Sequence, residues 1–138
     1  MNRNSLTILA AVLVLGVGSY VYFNQQQPAV KSGPPLAQVT VPELSATQLV
    51  GEVAYNKSCA SCHGENAAGQ DGVAPPLVHR IYEPNHHGDG AFLLAAKNGV
   101  RAHHWPFGDM PPVEGVEEAD VTKIVEYVRA LQRANGIQ

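Results

Sequence analysis

The feature that most constrains this chain is a set of three reactive side chains within five consecutive positions. Its only two cysteines are Cys59 and Cys62, and His63 follows the second one directly. Two cysteines cannot supply a disulfide framework for 138 residues, so a disulfide-stabilised scaffold is excluded. Thiols three positions apart serve one local purpose instead, such as a redox pair, half of a zinc site or the attachment of a prosthetic group.

The rest of the sequence favours a prosthetic group. A thioredoxin-type redox pair needs a βαβ context, and the chain shows no alternating strand pattern. A zinc site needs further cysteines or paired histidines at finger spacing. The pattern C-x-x-C-H is typical of a covalent c-type haem, because each thiol adds to one porphyrin vinyl group and the adjacent imidazole reaches the iron. We therefore predict one haem c, attached through Cys59 and Cys62 and ligated by His63.

The second axial ligand is predicted to be Met110. It is the only methionine besides the initiator, and Pro111 and Pro112 stiffen the loop that follows it. A Cys-linked haem with histidine on one face commonly takes methionine on the other.

Trp105 and five histidines leave further interpretations open. Trp105 either donates a hydrogen bond to a haem propionate or only packs. Any of five histidines is an alternative ligand that would lower the potential: His79, His86, His87, His103 and His104.

Hydrophobic periodicity predicts three helices between long irregular passages. Ser45 and Gln48 form a capping-box pattern before the first helix. Asp89 is placed to cap the second helix, and Gly99 to end it. The predicted helices cover residues 46–57, 90–98 and 117–134. The first helix is expected to bury an apolar stripe made of Leu49, Val50, Val53 and Ala54.

These elements predict an all-α fold in which three or more helices and long loops surround one covalent haem. About 94 residues run from Ser45 to Gln138, which is the size of a small single-core domain. Irregular passages at residues 64–88 and 100–115 are uncommon in a domain of this size unless something organises them. A large buried prosthetic group would do so.

The N-terminal segment predicts attachment to a membrane. No charged residue occurs from Leu6 to Phe23, and eighteen residues of helix span roughly 27 Å, close to the bilayer core. Arg3 precedes the span, so the C-terminal part is expected on the outer side. A cleaved signal peptide is the alternative. We predict an anchor at residues 1–23, a Gln/Pro-rich linker at residues 24–44 and a haem domain at residues 45–138.

The charge balance excludes nucleic acid as a partner. The chain has 9 basic and 12 acidic residues, a formal charge of −3. A nucleic-acid-binding domain presents a basic face to the phosphates, and this composition offers none.

From Ser45 to Ile137 the chain resembles the class I cytochrome c family. In that family a glycine and an aromatic residue, eight and four positions before the first haem cysteine, pack against an aromatic residue of the last helix. Gly51, Tyr55 and Tyr127 occupy these positions. The family also has a proline about twelve residues after the haem histidine. The resemblance therefore implies that the carbonyl of Pro75 accepts a hydrogen bond from the His63 imidazole and orients it.

The chain is most similar to the membrane-anchored bacterial monohaem cytochromes c. The resemblance implies a one-electron carrier in a respiratory or photosynthetic electron transport chain. The carrier is expected not to be an enzyme itself and to lie at the bacterial inner membrane with its haem domain on the periplasmic side. Its expected partners are membrane redox complexes such as a quinol-cytochrome c reductase and a terminal oxidase. A fixed haem c subunit of an oxidase, reductase or dehydrogenase is the alternative. A haem sensor or peroxidase-like protein, in which Met110 leaves the iron, is a third possibility.

Overall fold

A computed structural model describes residues 33–138, and the predicted anchor at residues 1–23 lies outside them. The described part of the chain contains four α-helices and two short 3₁₀ turns. Among these residues no helix is both long enough and apolar enough to cross a membrane. The α-helices are α1 (Ala46–Ser58), α2 (Ala60–His63), α3 (Asp89–Asn98) and α4 (Glu118–Ala134), and the 3₁₀ turns are Glu65–Ala67 and Arg80–Tyr82.

The three predicted helices are confirmed as α1, α3 and α4. The capping box before α1 is present, with the Ser45 hydroxyl accepting from the Gln48 N–H and the Gln48 side chain accepting from the Ser45 N–H. Residues 64–88 and 100–115 contain only 3₁₀ turns and isolated bridges, and the described residues form no β-strand. The all-α prediction is therefore confirmed for the described residues.

The predicted cap of α3 is wrong by one position. Gly88 is the N-cap, and Asp89 is the first helical residue. The carboxylate of Asp89 accepts instead from Nε of Arg129 in α4, at 2.8 Å. A long-range partner has replaced the local capping bond, which sequence spacing alone does not reveal.

Two helices, α1 and α4, cross at the position where Gly51 lies. A side chain there would overlap the backbone oxygen of Lys123, so only glycine lets the two backbones come this close. Next to this crossing, the fully buried rings of Tyr55 and Tyr127 pack with centroids 5.5 Å apart. The contacts implied by the cytochrome c resemblance are therefore present.

Gly51→Ala is expected to lower the free energy of unfolding by about 1–3 kcal/mol, because the added methyl group pushes α1 away from α4. Gly90→Ala is the matched control. It is a helical position with nothing within 4 Å, so alanine there should stabilise α3 by about 0.5–1 kcal/mol. Thermal unfolding followed by circular dichroism compares the two variants. Equal melting temperatures would contradict the close helix crossing.

Three of the four residues of the apolar stripe predicted for α1 face solvent, which corrects the prediction, and the fourth, Ala54, is partly buried against the core. Leu49, Val50 and Val53 are 48%, 58% and 68% exposed. The buried residues of α1 are Gly51 and Tyr55. The tight crossing explains this, because a glycine contact brings the face of the helix that carries Gly51 against α4 and leaves the aliphatic side chains outside.

A buried polar network joins α4 to the loop before α3. The Arg129 side chain is 8% exposed and donates from Nη1 to the Tyr82 carbonyl and from Nη2 to the His87 carbonyl, each at 2.6 Å. Gln132 is also buried and donates to the Tyr82 carbonyl at 3.1 Å. Since each buried donor has partners, the network fixes an otherwise irregular loop.

Part of the proline-rich segment assigned to the linker lies on the domain. The Asp71 N–H donates to the Pro34 carbonyl at 3.0 Å. The Asn135 side chain bonds both the N–H and the carbonyl of Thr40, each at 2.9 Å. Residues of the predicted linker therefore make hydrogen bonds with the predicted haem domain. Backbone hydrogen bonds hold this segment, although its composition gives no helix or strand pattern.

Candidate functional site

The Cys59–His63 segment folds as a single helical turn. The Cys62 and His63 N–H groups both donate to the Cys59 carbonyl, at 3.2 and 2.9 Å. Gly64 ends the turn with a φ of 74°, a left-handed value that suits glycine. The two thiols therefore lie one helical turn apart beside the imidazole, which is the arrangement that attachment through two cysteines requires.

The end of this turn is capped by Gln70, a residue that the sequence analysis missed. Its side-chain amide Nε2 donates to the carbonyls of Ala60, Ser61 and Cys62, at 3.2, 3.0 and 3.1 Å. The Ala60 carbonyl also accepts from the Gly64 N–H at 2.9 Å, whereas the Ser61 and Cys62 carbonyls lie at the end of the helix, where intrahelical partners are lacking. The capping donor comes from eight to ten positions later, so no local sequence pattern predicts it.

The imidazole of His63 is oriented by Pro75. Its Nδ1 lies 2.9 Å from the Pro75 carbonyl. A carbonyl only accepts hydrogen bonds, so Nδ1 donates and the lone pair of Nε2 stays available for a metal. Burial lowers the pKa of His63, and the hydrogen bond to Pro75 opposes this decrease only in part. The neutral imidazole, which is the form that binds iron, is thus favoured.

One cavity of about 440 Å³ brings together all five residues predicted for the site. Its walls include the side chains of Cys59, Cys62 and His63 together with Pro75 and Met110. The remaining walls are largely apolar and come from α3, α4 and the loops around them. Members of this apolar set include Val73, Leu77, Phe92, Leu94, Val121 and Ile124.

The backbone at Met110 is held by a reciprocal pair of hydrogen bonds with Val100. Each N–H donates to the other residue's carbonyl at 2.9 Å. Gly99 has a φ of 73°, and a side chain there would overlap the Met110 carbonyl. Asp109 accepts from the Ala102 N–H at 2.8 Å and closes the loop further. The segment with the predicted thioether ligand is therefore fixed at its backbone.

Four of the five alternative histidine ligands form one surface cluster, which we call the histidine cluster: His86, His87, His103 and His104. Three of them, His87, His103 and His104, also line the cavity. The pKa of His104 is lowered by desolvation and then by the neighbouring imidazoles. The fifth, His79, lies elsewhere and accepts from the Ile81 N–H at 3.2 Å.

Trp105 provides a test of whether the cavity fits a haem. Its indole Nε1 is buried and has no hydrogen-bond partner. The Tyr82 phenol lies nearby, and burial raises its pKa while the Trp105 indole N–H opposes this increase. The phenol and the indole do not reach hydrogen-bond geometry. A buried donor without a partner is costly, so an acceptor brought by a ligand would complete the site.

The thiols and the apolar walls fit the same group. Burial raises the pKa of the Cys59 thiol to about 11, with a smaller effect from Cys62. Cys59 is half-buried at the cavity wall, and Cys62 is exposed. A covalently attached haem with a polar edge group fits this apolar cavity. The cavity offers two thiols, a neutral imidazole, a thioether and an unpaired indole donor.

Comparison with protein families gives a match that covers the cavity and the C-x-x-C-H turn. The protein family described as Cytochrome c matches residues 49–132, which is more than half of the chain. The matched range contains the C-x-x-C-H turn, Pro75 and Met110. No curated protein matches the chain.

Proposed function

The chain belongs to the cytochrome c family, and we propose that it is a one-electron carrier with His63 and Met110 as the two axial ligands of its haem. The family implies haem-based electron transfer through a covalently bound haem c. The ligand assignment depends on one observation. His63 and Met110 line the same cavity, and separate contacts hold each of them in position. Pro75 orients His63, and the bonds to Val100 hold Met110.

The bound haem would supply an iron that cycles between Fe(III) and Fe(II). Cys59 and Cys62 would form its two thioether links. Because both lie on one helical turn, the haem would be attached to that turn alone. His63 would bind through Nε2, since Nδ1 donates to Pro75. A soft thioether from Met110 and burial among apolar side chains both favour the ferrous state.

Electron transfer without substrate chemistry follows from this ligand set. When histidine and methionine fill both axial positions, no open position remains for oxygen, peroxide or a substrate. The fixed backbone of Met110 supports this proposal, because it keeps the thioether side chain at the wall of the cavity.

The proposed partners are membrane redox complexes that deliver and accept the electron, such as a quinol-cytochrome c reductase and a terminal oxidase. The uncharged run from Leu6 to Phe23 supports attachment to the bacterial inner membrane, with the haem domain on the periplasmic side. From Ser45 onward the chain has 7 basic and 11 acidic residues, so a ring of lysines is not its docking surface. Attachment to the same membrane would raise the local concentration of each partner.

A fixed subunit of a redox complex is the second candidate function. It is favoured by the exposed Leu49, Val50 and Val53 on α1, because neighbouring exposed aliphatic side chains on one helix suit a lasting protein contact.

Purification in mild detergent separates the carrier from the subunit. We expect the haem protein to elute alone and its reduced form to be oxidised when membranes containing a terminal oxidase are added. The double variant Val50→Gln with Val53→Gln should elute in the same way. If the unmodified protein instead eluted in a stable stoichiometric complex, and the double variant did not form it, the protein would be a fixed subunit.

A further inference from the structure

The histidine cluster joins two loops that are distant in sequence. His86 and His87 lie in the loop before α3, and His104 lies in the loop that leads to Met110. The ring of His104 is 5.3 Å from that of His86 and 5.4 Å from that of His87, centroid to centroid. Neither loop alone has this arrangement, because the fold brings together residues eighteen positions apart.

The nitrogen atoms in this cluster are spaced like metal ligands. One ring nitrogen from each of His86, His87 and His104 lies within 4.8 Å of the other two. The Nε2 atoms of His86 and His104 are 3.4 Å apart. In a tetrahedral zinc site with bonds of about 2.0–2.1 Å, neighbouring ligand nitrogens are about 3.3–3.4 Å apart. This pair is therefore already at the spacing of two ligands on one ion.

The third imidazole is also held in a form that can bind a metal. Nδ1 of His87 lies 2.6 Å from the Ile81 carbonyl. Since the carbonyl can only accept, Nδ1 donates and Nε2 keeps its lone pair. A backbone carbonyl on the other nitrogen is the usual support of a metal-ligating histidine. The Ile81–His87 loop is itself fixed by Arg129, which donates to the His87 carbonyl.

We propose that His86, His87 and His104 bind a divalent transition-metal ion of the Zn²⁺ and Cu²⁺ class, at a site separate from the haem ligands. Imidazole is a borderline donor that suits these ions, whereas Mg²⁺ and Ca²⁺ prefer oxygen. Three histidines leave a fourth position for water. No carboxylate belongs to the group among the described residues, which further disfavours the oxygen-seeking ions.

The location gives this site a consequence for the cytochrome. His104 lies six positions before Met110, in the loop closed by the Val100–Met110 bonds. A metal bound by His104 and by the loop before α3 would link the Met110 loop to a segment that Arg129 already fixes. The ion would therefore add one more connection to a loop that backbone hydrogen bonds already close.

Calorimetric titration of the haem-loaded full chain, prepared without a histidine tag, tests the site with ZnCl₂. We expect one Zn²⁺ per chain, and a loss of affinity on the order of tenfold or more in each of His86→Ala and His104→Ala. The matched control is His103→Ala, whose ring lies 4.2 Å from that of His104 but outside the group of three. Its affinity should stay within about threefold of the unmodified protein.

The haem spectrum, recorded during the same titration, should not change, because the iron ligands are not the residues that bind zinc. With Cu²⁺ in place of Zn²⁺, electron paramagnetic resonance should show nitrogen ligands that His104→Ala reduces. Zinc binding that is equally strong after His86→Ala and His104→Ala would overturn the proposal. Equal losses in His103→Ala and His104→Ala would also overturn it, because the binding would then depend on histidine content alone.

Discussion

Replacing Cys59 and Cys62 by serine is expected to give a chain that holds no covalent haem and is largely unfolded. Both thiols line the cavity of about 440 Å³, and no other cysteine is available to attach the group. Without the haem, the apolar walls from α3 and α4 would face an empty space. An empty cavity costs the protein the packing contacts of its walls. The long loops at residues 64–88 and 100–115 have few helical hydrogen bonds that could stabilise the fold in their place.

Haem staining of a denaturing gel and far-ultraviolet circular dichroism measure the two effects. The double variant should show no stained band and should lose most of its helical signal. Ser61→Ala is the matched control, because it changes one of the two residues between the cysteines and leaves both thiols in place. A haem-free double variant with native-like circular dichroism would contradict the role of the haem as the organiser of the core.

Met110→Ala is expected to abolish the weak red charge-transfer band of the ferric protein and to lower its potential. The thioether stabilises ferrous iron, so its loss favours the ferric state. The decrease should be on the order of 0.1–0.2 V, within the range of about 0.8 V that axial ligands cover. The fold should survive, because the bonds between Val100 and Met110 are made by the backbone.

The matched control for this variant is His103→Ala. His103 lines the same cavity, but its Nδ1 lies 2.7 Å from the Arg101 carbonyl and its ring belongs to the histidine cluster. We expect it to keep both the red band and the potential. If Met110→Ala left both the spectrum and the potential unchanged while a histidine variant changed them, the iron would have a histidine in place of methionine.

The sequence predicted those features that depend on local spacing. The capping box at Ser45, the periodic apolar face of α4 and the C-x-x-C-H turn each involve residues within a few positions of one another. Pro75 was reached through the cytochrome c resemblance, and the 2.9 Å contact with His63 agrees with it.

The features that sequence reasoning did not find depend on long-range contacts. Gln70 caps the haem-attachment turn from a loop, and Asp89 pairs with Arg129 instead of capping its own helix. The aliphatic row on α1 was predicted to be buried because periodicity shows that a helix has an apolar face. It does not show whether a closer glycine contact, here at Gly51, brings another face into the core.

Optical potentiometric titration of the purified protein tests haem ligation by Cys59, Cys62, His63 and Met110 most directly. We predict a covalently attached haem, a red ferric band typical of methionine ligation and a single reversible transition with a slope of about 59 mV, as one electron requires. A haem that acid–organic extraction removes, or a ferric spectrum without the red band and with the low potential of bis-histidine iron, would contradict this ligand set.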